Sequence, residues 1–410
     1  MNIMLVCQGC PPRQRGGVEG HVAALAAGLA RLGHQVLVFA GDEQGSPLTC
    51  TSSRSGDVEV VRVTGRRRGD PRLAIRDPYV ETRFRETVLS FRPDVVHIHH
   101  LLFLSLSLPS MCRQLGVPVV TTVHDFWLLS HDFAIEPQRL HGARRRGLHA
   151  LHANWRHPRL SRPWRVMSRA KVAQAALLES DVTVVPSRFV HGVVTRAGVP
   201  GDAVTALPHG LDVPDPVRGQ ARSPATTVRL VFAGNLVANK GAHVLLRELA
   251  LLDANVLARL HLDIWGDSPY PRYLSELQQL AAALPVTLHG AYEPSQLPVI
   301  FQSADLLVVP ALWHETFSLV VREAFAYGVP ALVSDRGALP EAVVDGGGST
   351  FSVDGRGTLA AALRRIVTDP LTLEQWSAGV PHVKRMTTYV GELELVYRQV
   401  TASALIGPST

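Results

Sequence analysis

The sequence predicts an α/β protein made of two Rossmann-like, doubly wound domains in series that face an interdomain cleft. Three observations carry this expectation. Short apolar runs alternate with amphipathic helix patterns along most of the chain. The alternation breaks once, at a stretch rich in proline, glycine and polar residues, and then starts again. Such alternation implies mostly parallel sheets covered on both faces, with right-handed crossovers. Length agrees, because 410 residues at roughly 150 per domain suggest two or three domains, each with its own core.

The first domain is expected over 1–206. NIMLVC (2–7) reads as a strand and HVAALAAGLARLG (21–33) as a helix closed by Gly33. QVLVFA (35–40), DVEVVRV (57–63), DVVHIHH (94–100), PVVTTVH (118–124) and DVTVVPS (181–187) read as further strands, the last ended by Pro186. LPHGLDVPDPVRGQARSPAT (207–226) reads as a linker. A second domain over 227–386 restarts with VRLVFAG (228–234) and the helix pattern HVLLRELALL. Strands LHLDIWG (260–266), PVTLHG (285–290), ADLLVVP (304–310) and PALVSD (330–335) follow. The last helix pattern, YVGELELVYRQV (389–400), could belong to either domain. The expectation is that 387–410 packs back on the first.

Composition excludes several classes. With 46% hydrophobic and 19% charged residues, the chain reads as globular rather than disordered. LVVPALW (307–313) and LLFLSLSL (101–108) are too short to span a bilayer, and MNIMLV shows no secretory pattern, so a cytoplasmic protein is expected. Cys7-Gln-Gly-Cys10 could be a redox pair or half a zinc site, but Cys50 and Cys112 form no second pair. The net charge of +6 is concentrated: residues 136–171 hold nine arginines and one lysine against a single acid, with Trp155 and Trp164 interleaved. This reads as a solvated loop and helix. The other readings are a surface for an anionic acceptor, or peripheral contact with lipid headgroups at the inner membrane face. No nucleic-acid recognition module surrounds the arginines.

Ligands of open parallel sheets bind outside the carboxyl ends of the strands, so those loops are where chemistry is expected. After the first strand, Gly16-Gly17-Val18-Glu19-Gly20-His21 opens a helix whose start favours an anion, although paired glycines also make ordinary turns. His97 and His99 share a strand face, the spacing of a metal pair, but lack the needed carboxylates. His124, in Thr122-Val123-His124-Asp125-Phe126-Trp127, either lines the core or hydrogen-bonds a substrate hydroxyl. Lys240 follows the strand ending Gly234-Asn235 and either sits on the surface or neutralises a phosphate; its spacing is not that of a P-loop.

Residues 313–330, WHETFSLVVREAFAYGVP, combine two acids with a helix pattern capped by Ser318 and stopped by Gly328 and Pro330. Glu315 falls on the loop, and Glu323 about one and a half turns into the helix. The free amides of Phe317–Val320 make an anion site between them. A helix N-terminus gripping a diphosphate, flanked by carboxylates that accept sugar hydroxyls, is coherent chemistry. An ordinary capped helix with solvated acids is the alternative.

Taken together, these stretches resemble the retaining glycosyltransferases of family 4 (glycosyl transferases group 1), which have the two-domain GT-B fold. The resemblance covers nearly the whole chain and keeps the family's order: GGVEGH, DVVHIHH, TVHDFW, VVPSRF, LPHGLD, FAGNLVANKG, WGDSP, HETFSLVVREAFAYGVP and RGALPEAVVDGG. The E-x7-E motif of Glu315 and Glu323 is specific in that setting.

The resemblance implies a nucleoside-diphosphate sugar donor, UDP first, and transfer with retention to a hydroxyl of a small-molecule, aminocyclitol or glycan acceptor, without a metal or other cofactor. Glu315 would bind the sugar's hydroxyls and Glu323 the ribose. The amides of Phe317, Ser318 and Leu319 would hold the diphosphate with Lys240, under the loop of Gly16 and Gly17. His124 would contact the transferred sugar, making His124, Glu315 and Lys240 the catalytic set. Main chain near Gly266 and Gly290 would meet the base. Glu19, His21, Asp125 and the 64–80 segment would meet the acceptor. Asn235 departs from the pattern, since many relatives carry an arginine there that pairs with the diphosphate; Arg188 and Arg336 are the candidate substitutes. No Asp-x-Asp suggests a metal-held diphosphate. A sugar-nucleotide epimerase on the same fold, a degenerate nucleotide-sugar binder and a dehydrogenase are the rival readings. The last lacks its G-x-G-x-x-G and distal acid.

Overall fold

The computed structural model describes residues 1–14, 16–42, 48–65, 75–129, 163–212 and 227–406. Most of the expected linker, most of the arginine-rich stretch and residues 66–74 lie outside the described residues. The chain divides into two compact units, Met1–Asp212 with Lys384–Thr410, and Val213–Val383.

The first unit is built on one sheet. Its strands are β1 (Asn2–Cys7), β2 (Gln35–Gly41), β3 (Thr49–Ser55), β4 (Val58–Thr64), β5 (Val95–Ile98), β6 (Val119–Thr122), β7 (Val182–Val185) and β8 (Val204–Ala206), ordered β3-β4-β2-β1-β5-β6-β7-β8. All pairs are parallel except β3 with β4. Strands buried on both faces read as continuous apolar runs, and Ile3 to Cys7 are wholly buried. β3, TCTSSRS, is an exposed edge strand whose polar sequence suits an edge and hides it from a search for apolar runs. The first helix, Gly17–Arg31, starts four residues before the expected 21 and lies against the last, Met386–Ile406. Gly28 permits that contact, since a Cβ there would stand 2.7 Å from Val390 Cγ2. Tyr389, Leu393 and Tyr397 thereby join Ile3, Leu5 and Leu25 in one core.

The second unit has β9 (Val228–Ala233), β10 (Leu260–Trp265), β11 (Val286–Gly290), β12 (Leu306–Val309), β13 (Ala331–Ser334) and β14 (Gly348–Phe351). Their order is β11-β10-β9-β12-β13-β14, all parallel. One buried carboxylate organises its far side: Glu248 accepts from the amides of Gly357 (2.8 Å) and Ala360 (3.0 Å), satisfying the start of the helix Thr358–Thr368. No helix among the described residues is long and apolar enough to cross a membrane.

The winding direction reverses between β1 and β5 in the first unit, and between β9 and β12 in the second. These reversals leave a crevice at the strands' carboxyl ends. The loops leaving β1, β5, β9 and β12 carry most of the residues singled out from the sequence.

Candidate active site

In the second unit, the loops after β9 and β12 are brought together by a glycine. Gly241 is left-handed (φ 79°), and a Cβ there would sit 1.8 Å from the carbonyl oxygen of Pro310. That close crossing delivers Lys240, at the end of the short turn Ala238–Lys240, to Glu315. Lys240 Nζ donates to Glu315 Oε1 at 2.7 Å, and Trp313 Nε1 donates to the same oxygen at 2.6 Å. Lys240 Nζ also stands 5.0 Å from the Trp313 ring centroid. The main chain of Glu315 is equally fixed. It bridges to Gly337, its carbonyl accepts from Ala338 at 2.8 Å, and Gly337 in turn donates to His314 Nδ1 at 3.0 Å. Lys240 therefore does not stand alone waiting for a phosphate. Its ammonium has three protons, and one bond to Glu315 leaves donors for an anion.

Ser318 corrects an expectation. It occupies the N-cap position of the helix Leu319–Ala326, but its backbone is left-handed (φ 63°, ψ 86°) and its side chain makes no capping bond. A capping serine needs an extended backbone to turn its oxygen onto the second and third amides, and the loop leaving β12 denies that geometry. The helix start is left without a side-chain cap, which is what an anion-binding helix terminus requires. The left-handed serine stores on the order of 1 kcal/mol of strain.

Glu323 lies on the same helix, partly buried, with its carboxyl pushed up to about 7 by burial. Tyr292 and Tyr327 are raised first by burial and then by the Glu323 charge, which places both rings near it. Gly266 and Gly290 terminate β10 and β11, joined by the Gly266 amide to the Gly290 carbonyl at 2.7 Å. Asn235 is exposed, and Phe317 is buried. Arg336 is committed to Asp354 at 2.5 Å and Asp335 at 3.4 Å, which argues against it as the missing arginine's substitute. Arg188 opens the helix Arg188–Arg196 in the first unit.

In the first unit, the helix Gly17–Arg31 begins after an extended Gly16 and has no side-chain cap. Glu19 is buried and accepts from Gln8 Nε2 at 2.8 Å. His21 is buried against three rings, with centroids 4.4 Å from His209, 5.2 Å from His124 and 5.2 Å from Tyr389. His124 stacks on His209 at 4.8 Å, and its Nε2 shares a proton with His99 Nδ1 at 2.9 Å. Asp125 pairs with His100 at 3.2 Å and accepts from the Trp127 amide.

His97 is wholly buried between Tyr397 Oη (2.6 Å) and Thr122 Oγ1 (2.7 Å). Burial lowers His21 to about 4 and His97 to about 3. It pushes His99, His124 and His209 well below the ordinary histidine value, with neighbouring imidazoles adding to the effect. These rings are therefore neutral hydrogen-bonding groups. Among the described residues, no cluster of three His, Cys, Asp or Glu side chains is arranged to hold a metal ion. Cys7 and Cys10 are free, buried thiols, Cys7 pushed up to about 12 by burial, which disfavours a reactive thiolate.

The structure thus joins Lys240 to Glu315, and His21 to His124. Sequence reading missed His209, which sat unremarked inside LPHGLD, and Tyr389 and Tyr397, whose partners are remote in the chain.

Comparison with known proteins identifies the family. The model of "Glycosyltransferase Family 4" matches residues 15–214, and that of "Glycosyl transferases group 1" matches 215–382. The chain is 29% identical over 402 residues to the glycogen synthase of Mycobacterium tuberculosis (strain ATCC 25618 / H37Rv), covering 92% of this chain and 88% of that one. It is 26% identical over 410 residues to the D-inositol 3-phosphate glycosyltransferase of Corynebacterium diphtheriae, covering 93% and 89%. Sucrose-phosphate synthase from Thermosynechococcus elongatus superposes with a TM-score of 0.73 at 22% identity, over 98% of this chain and 99% of that one.

Proposed function

The chain belongs to the GT-B glycosyltransferases of family 4 and group 1, and we propose that its donor is a nucleoside-diphosphate sugar. UDP is the first nucleotide to test. The sugar passes with retained configuration to a hydroxyl of a small-molecule or glycan acceptor, and no metal takes part. The observation that carries this reading is the cluster of Lys240, Glu315 and Trp313 in the same unit as a helix start that no side chain caps.

The chemistry follows from the charges. As the bond from anomeric carbon to phosphate oxygen breaks, negative charge grows on the departing diphosphate. Lys240 and the amides of Phe317, Ser318 and Leu319 stabilise it. Glu315 accepts a hydroxyl of the sugar, and Glu323 the ribose hydroxyls. Gly17 is assigned to the phosphates, and main chain at Gly266 and Gly290 to the base. With Asn235 too short for a guanidinium's reach, Lys240 bears more of the leaving-group charge. The acceptor oxygen attacks the face from which the phosphate leaves, and its proton passes to a phosphate oxygen. His124 is assigned to the transferred sugar, and Glu19, His21 and Asp125 to the acceptor.

The test is release of nucleoside diphosphate from a panel of UDP-, GDP-, ADP- and dTDP-sugars with EDTA present. Slow release from one donor, lost in Glu315→Ala, supports the reading and names the nucleotide. An isomerised but intact donor would instead make the protein an epimerase.

Glu323 adds a pH signature. A carboxyl near 7 is ionised above that value and protonated below it, and two ribose hydroxyls are best accepted by the anion. A UDP-sugar has no phosphate titrating in this range. Its dissociation constant, measured calorimetrically, should rise as pH is lowered through about 7 and level off after a loss of about tenfold. Glu323→Gln should flatten that dependence; an unchanged slope would remove Glu323 from the ribose.

A further inference from the structure

Glu315 receives two strong hydrogen bonds on one oxygen. Trp313 Nε1 and Lys240 Nζ both donate to Oε1, at 2.6 and 2.7 Å. A carboxylate oxygen has two lone pairs, so Oε1 is fully used. Among the described residues, Oε2 accepts no hydrogen bond.

Trp313 serves both partners at once. Its indole N–H holds the carboxylate, and its ring faces the ammonium at 5.0 Å. Trp313 is only partly buried, at the margin of the core formed by Val309, Phe325 and Val333. Its N–H bond to Glu315 is thus a separable part of what it does.

We propose that Trp313 is a positioning residue that locks Glu315 with Oε2 turned to a single hydroxyl of the donor sugar. With Trp313 and Glu315 as fixed points, Lys240 meets the diphosphate as a tethered donor rather than a mobile side chain. This inference rests on the roles given above to Glu315 and Lys240. A flexible lysine held before the ligand arrives loses less freedom when it binds, which is the advantage of preorganisation.

Trp313→Phe removes the N–H and part of the ring while keeping an aromatic ring beside Lys240, and the cycle below separates the hydrogen bond from the lost packing. A hydrogen bond to a charged group is worth about tenfold or more. The variant is therefore expected to lower kcat by about tenfold, with the donor KM changed by less than about threefold, because Glu315 orients the sugar rather than the nucleotide. In a Glu315→Ala background the same substitution should cost little further, since groups acting through one another are not additive.

Urea unfolding of the ligand-free protein, run as a double-mutant cycle between Trp313→Phe and Glu315→Ala, reads the pairing without turnover. A measured coupling, together with neither binding nor turnover of any nucleotide sugar by the unaltered protein, would keep the pairing and overturn the donor-site reading instead. Equal losses in both backgrounds, a kcat within about twofold of the parent, or no coupling in the unfolding cycle would each overturn the proposal.

Discussion

Glu315→Ala and Lys240→Ala should each lower donor kcat/KM by about 10²–10³, the range seen when one preorganised group that stabilises developing charge is removed. The two variants should differ in a way that assigns their roles. Glu315 is placed against the sugar and touches the nucleotide only by tethering Lys240, so its loss should weaken affinity for the free nucleoside diphosphate by less than about threefold. Lys240 is placed against the phosphates, so its loss should weaken that affinity by about tenfold as well. Lys240→Ala also strands the Glu315 carboxylate, 10% exposed, without its cation. The doubly substituted protein should therefore be little worse than either single variant, as expected for groups that act as a unit. The measurements are nucleoside-diphosphate release at saturating donor and calorimetric titration with nucleotide alone. Equal loss of nucleotide affinity in both variants would contradict the assignment.

The pairing behind that result could not be read from the chain. Lys240 and Glu315 are 75 positions apart, and they meet because a left-handed glycine lets one loop pass the carbonyl of Pro310. The sequence shows a glycine after the lysine but not what it crosses. The strand-end loops themselves were legible, because buried parallel strands are written as unbroken apolar runs and their ends can be counted. β3 was not, since an exposed edge strand of threonines and serines has no core-facing period to detect. Ser318 misled for a related reason: a serine before a helix pattern reads as a cap, and only the geometry of the loop leaving β12 decides its φ. His97 and His99 could be placed on one strand face by alternation. Tyr397, the partner that explains why His97 is buried, lies 300 residues away.

The same buried histidines should make the first unit sensitive to mild acid. His21, His97, His99, His124 and His209 are all held neutral in the folded protein, burial being the first cause in each case. In the unfolded chain each returns to an ordinary value near 6.5. Between the folded and unfolded values the unfolded state binds more protons, so stability is full above about 6.5 and falls as pH is lowered through that value.

At pH 5.5 most of the five unfolded imidazoles are charged, and the slope is on the order of 5 kcal/mol per pH unit. That is comparable to the whole stability of an ordinary domain, about 5–15 kcal/mol. Glu323 acts in the opposite direction, because a carboxyl raised to about 7 binds its proton more tightly folded than unfolded. It offsets about one proton between pH 5 and 7. Net uptake on unfolding at pH 5.5 should therefore be about four protons, counted by calorimetry in buffers of different ionisation enthalpy. His209→Asn should remove about one of them. A count near zero would mean that the imidazoles are already charged in the folded protein, and the neutral cluster around His21 and His124 would have to be abandoned as the chemical character of that site.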